Sequence, residues 1–113
     1  MNEFKLLSEK SKERQKYWDP ENLISGDNAV SKMFRTIEMA GEVGEISNVV
    51  KKLIREELGI KGSRATTQDL ADELADGVIT LSNLAQIYDI DLWKSVKKKF
   101  NETSDKMGLP VKI

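Results

Sequence analysis

The chain has 113 residues with 18 Lys+Arg against 19 Asp+Glu, a formal net charge of -1, and neither Cys nor His. That length fits one domain, residues 1–113, with no accessory module, and the balanced charge gives no footprint for a nucleic-acid backbone or an anionic membrane. Without thiol or imidazole there is no disulfide framework, no tetrahedral zinc site of the usual ligands, no Cys nucleophile and no Ser-His-Asp triad, which leaves carboxylates, Lys and metal-bound water for any catalysis.

In chain order, the first segment predicts a short, partly exposed helix from about Asn2 to Tyr17, with Phe4, Leu7, Ser11 and either Gln15 or Arg14 on a weakly apolar stripe and Pro20 beyond it as a stop. The opening residues, Met1 to Lys10, lack the basic start and apolar core of a signal peptide. No later run approaches the ~18 apolar residues of a membrane span, so the expected location is the cytoplasm. Ser25, Gly26, Asp27 and Asn28 offer N-cap chemistry for a long second helix that runs to a C-terminal cap at Gly59. After a polar loop, Thr66 with Asp69 three residues on forms an acidic version of a capping box and starts a third helix reaching about Tyr88. Asp91 N-caps a fourth helix that ends at Gly108 and Pro110. The strand signature of alternating β-branched and aromatic residues is absent, and short links favour antiparallel neighbours. The expected fold is therefore all-α, of four-helix-bundle type. A core this modest makes association with further copies attractive.

Two carboxylate lines stand out. In the second helix Met39, Val43, Ile46, Val50 and Leu53 form an apolar seam, and one residue earlier Glu38, Glu42, Glu45, Val49 and Lys52 follow the same spacing. The third helix repeats the design, with Leu74, Val78, Leu81, Ala85 and Tyr88 as the seam and Asp69, Glu73, Asp76, Thr80 and Asn83 one residue behind. Facing acidic edges repel unless something offsets them. With carboxylate oxygens and no softer ligand available, Mg²⁺ is the cation of choice, with Mn²⁺ as substitute, and Mg²⁺ commonly arrives with a substrate phosphate. Gly41, Gly44 and Gly77 each cost about 1 kcal/mol against Ala inside a helix, which points to close helix approach beside the acids. Taken singly, either acid pair is also an ordinary solvated helix face.

The segment Gly41-Glu42-Val43-Gly44-Glu45, followed by Lys51-Lys52 and by Asp72-Glu73-Leu74-Ala75-Asp76, resembles the MazG-type all-α nucleotide pyrophosphohydrolases. Their hallmark is Glu-x-x-Glu followed after a variable gap by Glu-x-x-Asp. Lys99-Phe100-Asn101, Ser104 and Met107-Gly108-Leu109-Pro110 are similar to the C-terminal helix and tail of short, single-domain bacterial and phage members, so the resemblance runs from about Trp18 to the end. Gly41 stands where many members carry a further Glu, and Glu38 lies one turn earlier instead.

The resemblance implies Mg²⁺ held by Glu42, Glu45, Glu73 and Asp76, gripping a nucleoside triphosphate that water cleaves between the α- and β-phosphates to give a monophosphate and pyrophosphate. Glu38 and Glu45 are the candidates for orienting or deprotonating the water. It also implies contacts of Lys99 and Asn101 with phosphate or sugar and base stacking on Trp18, which otherwise reads as a core anchor. Lys52, continuing the acidic line, and Asn83, which binds ligand or caps a water network, complete the candidate substrate-binding set. Trp93 reads as a packing or subunit contact, and Phe34 and Phe100 as core. The family's members are homodimers or homotetramers in which subunits complete the bundle. Two alternatives stand beside this expectation: the same fold acting on phosphoribosyl-ATP or a guanosine alarmone, and a non-catalytic helical dimerisation module.

Overall fold

The computed structural model describes residues 2–113, and among these every regular element is helical. The four helices are α1 (Glu3–Trp18), α2 (Ala29–Glu57), α3 (Thr67–Ile87) and α4 (Leu92–Met107). Side-chain oxygens set all four starts: Asn2, Asn28, Thr66 and Asp91 each accept the backbone N–H three residues on, which satisfies a donor the first turn leaves free. At Thr66 the Asp69 carboxylate returns the bond, completing the capping box. Gly59 and Gly108 follow α2 and α4 with left-handed φ of 69° and 66°, a conformation in which a Cβ would clash.

The main packing contact is α2 against α3. Lys52 faces Asp69, Ile46 meets Gly77 and Glu42 meets Glu73 and Asp76, so numbers fall along one helix as they rise along the other and the pair is antiparallel. The first helix packs on α3 through polar groups. The Gln86 amide donates to the Ser8 carbonyl and hydroxyl oxygens at 2.7 and 2.8 Å, and the Gln15 amide donates to Asn83 Oδ1 at 3.4 Å. The fourth helix packs on α1, where Trp93 stacks on Phe4 with ring centroids 6.0 Å apart, in line with its reading as a packing residue.

The expected seams are only partly buried: Met39, Ile46 and Leu53 are half-buried and Ala85 is buried, while Glu42 and Glu73 from the carboxylate lines share that half-buried level. On α2 the buried or half-buried line toward α3 is Arg35, Glu42, Ile46, Val49 and Leu53; on α3 it includes Glu73, Gly77 and the buried Thr80. Val43 is 58% exposed and Leu81 47%, and Phe34 and Phe100, expected in the core, are also exposed. The reason lies in α2, which carries apolar residues on more than one face, so periodicity alone does not say which stripe meets α3. The glycines divide accordingly. Gly77 lies where a Cβ would come within 3.2 Å of Ile46 Cδ1, a true close approach, whereas Gly41 and Gly44 face open space rather than a neighbouring helix.

Candidate functional site

The packing of α2 on α3 brings Glu42, Glu73 and Asp76 together, each with a carboxylate oxygen within 4.8 Å of the others'. The i, i+3 spacing of Glu73 and Asp76 sets both on one side of α3, and antiparallel packing points Glu42 at them from α2. Glu42 Oε2 and Glu73 Oε2 are buried and have no hydrogen-bond partner. Neighbouring carboxylates with unpartnered oxygens are favoured by a proton or a cation between them. Accordingly the Glu73 carboxyl is pushed up to about 7 by hydrogen bonding with the neighbouring Glu45 carboxyl, by burial and by Glu42. Burial and the charges of Glu45 and Asp76 also raise Glu42, although its contact with Glu73 lowers it. A cluster of hard oxygens with two unpartnered lone-pair positions fits a divalent cation such as Mg²⁺.

Glu42 and Asp76 line a cleft of about 550 Å³ whose walls also include Glu38, Arg35, Arg14, Trp18, Phe34, Thr80 and Asn83. Of the site residues singled out from sequence, this space gathers Glu38, Glu42, Asp76, Asn83 and Trp18, while Glu73 lies beside Glu42 and Asp76 without lining it. Trp18 is 62% exposed, which sets aside the core-anchor reading, and the Arg14 guanidinium lies 4.6 Å over its ring. Asn83 is buried against Gln15, its amide oxygen accepting from that side chain.

Other expected residues lie elsewhere. Glu45 is exposed and adjoins Glu73 outside the tight trio. Lys52 sits near Asp69, toward the start of α3, and does not line the cleft. No α4 residue lines it either, because α4 packs on α1 at the edge of the fold. Within one chain, Lys99 is therefore not beside the carboxylates, and the Asn101 amide is engaged by the C-terminal tail. It accepts the Ile113 N–H at 2.9 Å and donates to the Ile113 carbonyl at 3.0 Å.

Sequence reasoning did not single out the arginines as site residues. Arg35 is 3% exposed, pairs with Glu38 Oε1 at 3.2 Å and donates to Ser25 Oγ at 3.2 Å. The buried Asp19 lies within reach of its charge. Burial alone would raise the Asp19 carboxyl, but Ser25, the Ile24 and Leu23 N–H groups and Arg35 outweigh it and hold it below the usual range. The available signal was the Arg35-x-x-Glu38 spacing, an i, i+3 ion pair at the mouth of the acidic line. Comparison with protein-family models, with curated proteins and with solved structures gives no significant match.

Proposed function

We propose that this chain is a Mg²⁺-dependent nucleoside triphosphate pyrophosphohydrolase of the MazG-like kind, cleaving between the α- and β-phosphates and serving to clean the nucleotide pool. The observation that carries the reading is the meeting of Glu42, Glu73 and Asp76, with two unpartnered buried oxygens, where Glu42 and Asp76 line a cleft that also holds an exposed Trp and a buried Asn. A polyphosphate is the ligand that needs such a site, since its own charge would be repelled by bare carboxylates and is accepted once a cation lies between.

Glu42, Glu73 and Asp76, with Glu45 alongside Glu73, would hold the metal, Mg²⁺ or Mn²⁺ in its place. When bound, the ion supplies neutralisation of charge on the phosphoryl oxygens. The chain's own groups do the rest. Glu38 lies in the cleft with its carboxylate oriented by Arg35, the better position from which to hold an attacking water. Trp18 offers an aromatic face for a base, backed by the Arg14 guanidinium, and Asn83 offers a hydrogen-bonding edge in the same space.

The test is pyrophosphate release from a panel of canonical and modified ribo- and deoxynucleoside triphosphates, with phosphoribosyl-ATP and a guanosine alarmone included, with and without Mg²⁺. Glu73→Gln and Glu38→Gln should each lower kcat by at least 100-fold, and Trp18→Ala should act mainly on KM. Activity indifferent to metal, or unchanged in Glu73→Gln, refutes the proposal. A folded protein inert toward the whole panel favours the non-catalytic helical module.

A further inference from the structure

A guanidinium that is 3% exposed has left bulk water, so its protein partners must supply the bonds that water no longer does. Arg35 finds them on two sides. Toward the cleft, Nη1 donates to Glu38 Oε1 at 3.2 Å and to Oε2 at 3.5 Å; away from it, Nη2 donates to Ser25 Oγ at 3.2 Å. The Ser25 side chain bonds the Asp19 carboxylate in turn, and the charge of Arg35 reaches that carboxylate as well. One buried cation is thus shared between two acids, Glu38 inside the cleft and Asp19 outside it.

Asp19 is itself fixed from several directions. It is buried, its N–H closes α1 on the Gln15 carbonyl at 2.8 Å, and its two carboxylate oxygens accept the Leu23 and Ile24 N–H groups at 2.8 and 3.0 Å. A carboxylate held by both oxygens has little freedom left, so it is a firm anchor for the groups bonded to it. Glu38 needs such an anchor. It is half-buried, Arg35 is the one hydrogen-bond partner of its side chain among the described residues, and it stands one turn from Glu42, whose like charge repels it. Left alone, that carboxylate is free to swing into solvent. A planar fork gripped at its far side holds it facing the cleft, which the single point charge of a Lys would not do.

We propose that Asp19 and Ser25 are positioning residues: from outside the cleft they brace Arg35, so that its guanidinium fixes the Glu38 carboxylate where it can hold an attacking water. What Glu38 does rests on the pyrophosphohydrolase reading; how Glu38 is held rests on the hydrogen bonds alone. Neither Asp19 nor Ser25 lines the cleft, so an effect of either on turnover does not come from touching substrate. Trp18 directly precedes Asp19, so losing the brace also loosens the rim of the cleft. That second effect falls on KM and does not pass through Glu38.

The experiment is a double-mutant cycle between Asp19→Asn and Glu38→Gln, read in two ways. In kcat for pyrophosphate release, Asp19→Asn should lower the parent's value about tenfold but that of Glu38→Gln by less than about twofold, because the brace then has no carboxylate left to position. In thermal unfolding the departure from additivity should have the opposite sign. Each single variant leaves Arg35 one acid and the double variant leaves it none, so the melting temperature should fall by more than the sum of the single shifts. Arg35→Lys should resemble Asp19→Asn in kcat, and Ser25→Thr should keep the activity that Ser25→Ala loses. Additive effects on kcat, an Asp19→Asn variant with the parent's kcat, or a melting cycle without coupling would overturn the proposal. A parent inert toward every nucleotide refutes the enzymatic reading instead, and the melting cycle still decides whether Asp19 and Glu38 share Arg35. If Asp19→Asn fails to fold, Ser25→Ala replaces it in both cycles.

Discussion

Binding of Mg²⁺ to the acidic trio should expel a proton, and the amount should follow pH in a way the structure specifies. With the Glu73 carboxyl pushed up to about 7, the metal-free protein carries about 0.9 proton there at pH 6, about 0.5 at pH 7 and about 0.1 at pH 8. A cation needs the ionised carboxylate, so those fractions are the protons released, and apparent affinity should fall roughly tenfold per pH unit below 7. The raised Glu42 adds to the release at the acidic end. The sign for stability follows too. The folded chain holds this proton to higher pH than the unfolded one, so the metal-free protein should lose stability as pH rises from about 4.5 to about 7, and Mg²⁺ should restore it. Isothermal titration calorimetry of Mg²⁺ in buffers of different ionisation enthalpy counts the protons directly. Glu73→Gln should remove most of the release while raising the melting temperature of the metal-free protein at pH 8. Proton release independent of pH between 6 and 8, or unaltered by Glu73→Gln, would refute the argument that the carboxylates share a proton in place of a cation.

Other expectations are simpler. Gly41→Ala and Gly44→Ala, which point into open space, should each stabilise the protein by about 0.5–1 kcal/mol in thermal denaturation, whereas Gly77→Ala should gain less or lose stability because its Cβ meets Ile46. Thr66→Ala should cost about 1 kcal/mol by removing half of the capping box. The lowered Asp69 carboxyl in that box, held down first by the Thr66 backbone N–H and then by its side chain, contributes stability present above the ordinary Asp range and lost as the pH falls through its folded value; Thr66→Ala keeps the backbone N–H, so the variant should retain most of that pH dependence. Asn101→Ala should free the C-terminal tail, seen as faster amide exchange at Ile113, while leaving Mg²⁺ affinity unchanged.

Helix number and boundaries were legible because caps are local. Asn28, Thr66, Asp91, Gly59 and Gly108 each stop or start a helix through atoms within a few residues of themselves, and no partner is needed to recognise them. The meeting of Glu42 with Glu73 and Asp76 was legible for a similar reason, since spacing fixes the face and a short loop fixes the direction. The choice of face was not. Ile46 belongs both to the apolar seam and to the line against Gly77, and nothing within α2 alone says which of its apolar stripes packs on α3. Arg35 was hidden because a buried guanidinium depends on Ser25 and Asp19, which reach it only through the fold of the loop between α1 and α2. Lys99 and Asn101 carried a resemblance in sequence that the position of α4 within one chain does not translate into proximity to the acids.

That connecting loop is held by side chains rather than by packing. Asp19 accepts the Leu23 and Ile24 N–H groups at 2.8 and 3.0 Å, Ser31 Oγ accepts the Gly26 N–H at 3.1 Å, and Asn22 sits at a left-handed φ of 58°. One wall of the cleft, with Trp18 at its rim and Arg35 behind it, is therefore a short cooperative unit closed by a few hydrogen bonds, each worth about 1 kcal/mol. Such a unit opens far more often than the α2 and α3 pair unfolds. The amides of residues 22–26 should thus exchange by local opening, on a timescale set by the loop, and a ligand stacked on Trp18 would find a wall that adapts to the width of its ring.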